Sequence, residues 1–186
     1  MTCTHTICAD QKVPELQVHK LNKQIMDLKV QNPKNFTMLV FYRGLHCPIC
    51  KTYLKDLDSK LSQFKDKGVK AYAISMDTQE RARLAHERWD LNSLTLCYGL
   101  SEEAAKAWGL YLSQGISNKD ADVQEPSLFC EPGLFLIKPD GKLYCASIQT
   151  MPFARPSFDD VLSAVDFILE KNYPPRGSFE AEKEAA

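Results

Sequence analysis

Apolar and polar positions follow two different rhythms along this chain. Glu15-Leu-Gln-Val-His19 switches at every residue, as a half-buried strand does. Phe36-Thr-Met-Leu-Val-Phe-Tyr42 is a short, almost unbroken apolar run, which fits an interior strand covered on both faces. Gly44 breaks that strand, and from Pro48 the rhythm turns helical. Tyr53, Leu54, Leu57, Leu61 and Phe64 recur at three- and four-residue steps and form one apolar stripe. Gly68 closes the helix, and Val69-Lys-Ala-Tyr-Ala-Ile-Ser75 follows as a second interior strand.

Asp77 and Glu80 have capping-box spacing and predict a helix running to about Trp89. Leu94–Tyr98 reads as a short strand, and Ser101 caps a brief helix ending near Gly109. The polar stretch from Ser113 to Glu125 is long for a connection in a compact domain, so it is a functional loop or an ornament. Leu134–Ile137 and Leu143–Ser147 flank Lys138-Pro-Asp-Gly141, a hairpin turn. Ser157 caps a last helix striped by Val161, Leu162, Val165, Ile168 and Leu169. Strand and helix alternate, then a hairpin and a helix close the chain. That order predicts an α/β, thioredoxin-like fold, with a mixed central β-sheet and helices on both faces.

The length of 186 residues suits one such domain. Residues 1–12 are expected to be a flexible leader, 13–173 the domain, and 174–186 a tail after the Pro174-Pro175 stop. With 23 basic and 24 acidic residues the formal charge is −1, which gives no general pull toward nucleic acid or an anionic membrane. No stretch is apolar for long enough to span a bilayer, and the first ten residues lack the basic-then-apolar order of a secretory signal. A cytoplasmic location is the expectation.

Seven scattered cysteines do not resemble a secreted disulfide framework. Cys97 and Cys145 sit in apolar runs and read as buried small residues, whereas Cys3, Cys8 and Cys130 carry no assignment. Cys47-Pro-Ile-Cys50 stands apart, because it follows an interior strand and a breaking glycine and opens a helix. Unpaired N–H groups and the positive end of the helix dipole favour a thiolate there. Pro48 suits the first helical position. Cys47 is therefore the expected nucleophile, and Cys50, one turn on, the resolving thiol. A protonated His46 would favour the Cys47 thiolate, and Arg43 would add fixed positive charge; a surface histidine and a surface ion pair are the plainer readings. Half a zinc site is the other alternative, completed by Cys3, His5 and Cys8 from the leader.

Phe41-Tyr-Arg-Gly-Leu-His-Cys-Pro-Ile-Cys-Lys-Thr-Tyr-Leu54, Gly133-Leu-Phe-Leu-Ile-Lys-Pro-Asp-Gly141 and Met151-Pro-Phe-Ala-Arg-Pro156 together resemble the peroxiredoxin-like branch of the AhpC/TSA (redoxin) family. The resemblance covers about residues 13 to 172. It implies a thiol-based oxidoreductase in which Cys47 attacks a hydroperoxide or a disulfide and Cys50 closes a disulfide with it. A redox-sensing or binding protein without efficient peroxidase activity is the alternative. Pro132 matches the position where thioredoxin-fold proteins carry a cis-proline facing the active cysteines. The family's signature is proline, three residues, threonine, two residues, then the peroxide-attacking cysteine. Those two places hold Val40 and Gly44 counting from Cys47, and Arg43 and Cys47 counting from Cys50. The family's peroxide-polarising arginine is also missing before Leu134. Arg155, in a proline-flanked turn, either substitutes for it or is a solvated loop residue. No metal or bound cofactor is implied. The expected partners are a hydroperoxide or disulfide substrate and an external thiol reductant such as thioredoxin or glutathione. A homodimer is compatible with this reading; nucleic acid and membrane are not expected.

Overall fold

The computed structural model describes residues 7–178. Its elements in chain order are β1 (Gln17–Lys20), β2 (Ile25–Asp27), β3 (Phe36–Phe41), α1 (Pro48–Asp66), β4 (Val69–Ile74), α2 (Gln79–Arg88), β5 (Thr95–Tyr98), α3 (Glu102–Ala107), β6 (Leu112–Gln114), β7 (Leu128–Cys130), β8 (Gly133–Ile137), β9 (Leu143–Ile148) and α4 (Phe158–Lys171). Seven strands form one mixed sheet in the order β2-β1-β5-β4-β3-β8-β9, and β6 pairs with β7 apart from it. The two longest apolar runs pair in parallel from Phe36↔Val69 to Phe41↔Ile74. Strand β8 then joins the other side of β3 antiparallel, from Thr37↔Ile137 to Phe41↔Gly133.

All six residues of β3 are buried, and their period of two sorts them to opposite faces. Met38 and Val40 point with Leu134 and Leu136 toward Leu54, Leu57 and Phe64 of α1 and Phe158, Val161 and Val165 of α4. Leu39 and Phe41 point with Phe135 and Ile137 toward Trp108 and the α3 side. Helices thus cover both faces, and the end of β3 delivers the chain to the start of α1 at the sheet's centre.

Several local expectations need correction. The cap of α2 is Thr78, whose hydroxyl accepts from Arg81 N; the Asp77 carboxylate turns inward instead of capping. Cys145 is exposed, because β9 is the sheet's edge strand and its third residue points past the core; Cys97 is buried as expected. The short β2 lies outside the alternating pattern noted from the sequence. Residues 1–6 of the expected leader and 179–186 of the tail, with Cys3 and His5 of the zinc alternative, lie outside the described residues. The leader's described end is tied to β9, where Asp10 N donates to Leu143 O at 2.8 Å. Among the described residues no helix is long and apolar enough to cross a membrane.

Candidate active site

The strand β3 ends at Phe41, and Tyr42 N still donates to Ile74 O at 3.0 Å. The chain then turns: Cys47 N donates to Gly44 O at 3.1 Å, closing a four-residue turn that hands Cys47 to α1 in an extended conformation (φ −99°, ψ 104°). Cys47 is the N-cap of α1. Its Sγ accepts from Cys50 N at 3.2 Å, the place a serine or aspartate oxygen usually takes, and Pro48 fills the first helical position. The sequence therefore places both sulfurs on one face of the helix's first turn.

Their environments push the two thiols apart. A hydrogen bond from the Cys50 thiol, helped by the Cys50 amide and by the charges of Arg155 and Arg43, brings the Cys47 pKa down to about 6 against the opposing effect of burial. Burial first, then the neighbouring Cys47, drive the Cys50 thiol well above its usual value. The surroundings thus favour the anion at Cys47 and the proton at Cys50. Such a division suits attack by the first and resolution by the second.

Arg155 reaches this pair from the segment before α4. Its Nη2 donates to Cys50 Sγ at 3.1 Å, its Nε to Pro152 O at 2.9 Å, and its guanidinium lies 4.9 Å over the Tyr53 ring. Tyr53 in turn donates to Pro156 O at 2.7 Å, which fastens the strap from Met151 to Pro156 onto α1. Arg155 Nη1 is buried with no hydrogen-bond partner. Both cysteines are buried in the core on this face of the sheet, Cys47 at 1 % and Cys50 at 0 % exposure, while Met151 and Phe153 of the strap stand out at 51 % and 58 %.

Arg43 and His46 sit on the other side of the turn. The Arg43 guanidinium pairs with Glu125 and Glu131, each at 3.4 Å, and lies 4.6 Å over Phe129. It is a part-buried charge, and it contributes to the Cys47 thiolate. For His46 the protonated role fails. Burial first, and then the adjacent Arg43 charge, push its pKa down to about 4. Arg81 Nη2 lies 3.5 Å from His46 Nδ1, and a guanidinium only donates, so the neutral ring carries its proton on Nε2. That N–H faces Glu125 at 3.9 Å, beyond hydrogen-bond reach.

Pro132 also departs from expectation, since the described residues contain no cis peptide bond. The chain runs straight from β7 into β8, with Glu131 N donating to Tyr111 O at 2.8 Å and Gln149 N donating to Pro132 O at 3.0 Å. A trans bond keeps that run extended. The Pro132 carbonyl is taken up by the sheet side, so it offers no open backbone to a substrate chain.

Residues unmarked by the sequence reading complete the surroundings. Glu125 accepts from Ile116 N at 2.8 Å as well as pairing Arg43, so the long loop is folded down over the turn. A cleft of about 630 Å³ lies between that loop and Leu45, His46, Pro48, Lys51 and Trp89. Asp77 is buried beside Gly44. A carboxylate just past the carboxyl end of β4, beside the cysteine turn, was the available signal for it. Among the described residues, no cluster of three or more His, Cys, Asp or Glu side chains is arranged to hold a metal.

Known proteins resemble this chain in sequence and in fold. The chain is 27 % identical over 123 residues to alkyl hydroperoxide reductase C of Ferdinandcohnia aciditolerans, covering 64 % of this chain and 66 % of the relative. It is 26 % identical over 138 residues to the protein of the same name from Bacillus subtilis, covering 72 % and 67 %. The chain spans about two thirds or less of the length of the curated relatives it matches. Its fold is similar to that of Enterococcus faecalis AhpC, at TM-score 0.69 and 15 % identity over 90 % of this chain and 98 % of that one. Peroxidoxin BcpB from Mycobacterium tuberculosis is similar at TM-score 0.68 and 16 % identity, covering 88 % and 99 %. The AhpC/TSA family model matches residues 9–146, well over half of the sequence, and the chain belongs to that family.

Proposed function

We propose that the protein is a thiol peroxidase whose Cys47 reduces a hydroperoxide. The Cys47 thiolate attacks the nearer oxygen of the O–O bond. The bond breaks, the distal oxygen leaves as an alcohol or water after taking a proton, and Cys47 becomes a sulfenic acid. The Cys50 thiol then displaces that hydroxyl as water and forms the Cys47–Cys50 disulfide. An external thiol reductant, thioredoxin or glutathione, supplies two electrons to restore both thiols, in the cytoplasm. The observation that carries this reading is the Cys47 sulfur capping α1 at Cys50 N, with the Arg155 guanidinium on the neighbouring Cys50 sulfur. The buried and unpartnered Arg155 Nη1 supports a role for this residue in polarising a peroxide oxygen, as the missing family arginine would have done.

Reaction requires a local opening around the cysteine turn, since both sulfurs are buried. That burial favours a small hydroperoxide over a protein disulfide, whose approach would also want the Pro132 carbonyl that Gln149 occupies. Stopped-flow mixing of reduced protein with hydrogen peroxide tests the proposal. A sulfenic acid trapped by dimedone at residue 47 in Cys50→Ser, and a Cys47–Cys50 disulfide in the wild type, are the expected products. Oxidation of Cys47 no faster than that of Cys145 would leave the sensing or binding role instead.

A further inference from the structure

We infer that Asp77 is a positioning residue for the reacting sulfur: its carboxylate holds the Gly44–Cys47 turn in the one shape that makes Cys47 the cap of α1. The inference rests on Cys47 being the nucleophile, as proposed above. Asp77 lies just beyond the carboxyl end of β4, and its side chain is fully buried. Oδ2 accepts from Leu45 N at 2.8 Å, inside the turn that Cys47 N and Gly44 O close. Oδ1 accepts from Arg81 Nε at 2.7 Å, one helical turn away on α2, and Arg81 passes on to His46 Nδ1 at 3.5 Å. The Asp77 backbone is fixed as well, because its N–H reaches Ser75 Oγ at 3.3 Å and its carbonyl accepts from Gly99 N at 3.0 Å.

Gly44 explains why the carboxylate comes so close. A Cβ at that position would stand 2.8 Å from both Asp77 oxygens, and φ is +133°, a backbone state that favours glycine. Only a residue without a side chain lets the carboxylate lie against the turn. A buried anion beside a sulfur that must itself ionise works against the thiolate by simple Coulomb repulsion. The arrangement makes sense when the carboxylate's benefit is geometric: it sets φ and ψ of the turn, which aim Sγ at Cys50 N.

That opposition of sign gives a clean test. The pH dependence of Cys47 alkylation by iodoacetamide, read by peptide mass spectrometry on the reduced full chain, reports the thiolate at this residue alone. If Asp77 acts only through its charge, Asp77→Ala and Asp77→Asn shift the Cys47 profile to lower pH. If it acts by position, both shift it upward, and the alkylation rate at pH 7 falls by about tenfold as the thiol returns toward the ordinary range. Gly44→Ala, which displaces the carboxylate without deleting it, shifts the profile the same way. Should Asp77→Ala fail to fold, the near-isosteric Asp77→Asn and Gly44→Ala decide the matter. Lower melting temperatures with an unmoved Cys47 profile would overturn the inference and leave Asp77 a packing residue. A wild-type profile already at the pH of an ordinary thiol would overturn the peroxidase reading and this inference together.

Discussion

Arg155 is where a single side chain carries the most chemistry. It touches Cys50 Sγ, lends charge to the Cys47 thiolate and holds one donor in reserve. Arg155→Gln should therefore raise the Cys47 pKa and slow peroxide reduction by about a hundredfold, the scale for losing one preorganised donor; stopped-flow rates across pH measure both. A rate unchanged in Gln would place the peroxide elsewhere. His46 makes a different prediction. Its folded pKa lies near 4, below the unfolded value of about 6.5, so in that window the unfolded chain binds the proton and the folded chain does not. Stability is therefore lost as pH falls from about 6.5 toward 4, and His46→Asn should lose less across the same window in chemical denaturation. Parallel curves for the two proteins would contradict the buried neutral ring.

At the scale of elements, the long segments were readable and the joints were not. Strand β3, helix α1 and helix α4 each carry a period strong enough to name both the element and its buried face, and the Cys47-Pro-Ile-Cys50 start of α1 follows from local rules alone. Asp77 misled because capping is a local signal, whereas its carboxylate answers to Leu45, 32 residues away in sequence. The Pro132 geometry depended on two partners, Tyr111 and Gln149, that only the folded sheet brings near. Arg155 stood at an even choice between site and solvent until α4 packed on α1 and brought its strap to Cys50. The loop before β7 is the clearest case of an element without a pattern: Glu125 pins it through Ile116 N and Arg43, beside an Asp122–Arg88 pair to α2. Glu125→Gln should destabilise it locally by about 1–2 kcal/mol, since a part-buried acceptor and a charge pair are weakened together. Faster amide exchange across residues 115–127, with β3 and β4 unchanged, is the expected readout.

For the whole molecule, the thiols rank themselves by where the sheet puts them. Cys145 on the edge strand is exposed, whereas Cys97 and Cys130 are buried and pushed up to about 12 by that burial. Pulse alkylation of the native reduced protein should label the exposed Cys145 first and the buried but ionised Cys47 more slowly, and leave Cys97 and Cys130 for the unfolded chain. Early labelling of Cys130 would mean that the β3–β8 region opens far more readily than its packing implies.

The division between sheet and strap has a practical outcome for engineering. The turn that presents Cys47 is anchored in paired strands and the buried Asp77, while the Met151–Pro156 strap reaches the site through the Arg155 guanidinium on Cys50 and is fastened by one tyrosine bond. Exchanging the exposed Met151 and Phe153 while keeping Arg155 would thus retune which oxidants gain entry and how quickly, with the hydrogen-bond register of the seven strands left as it is.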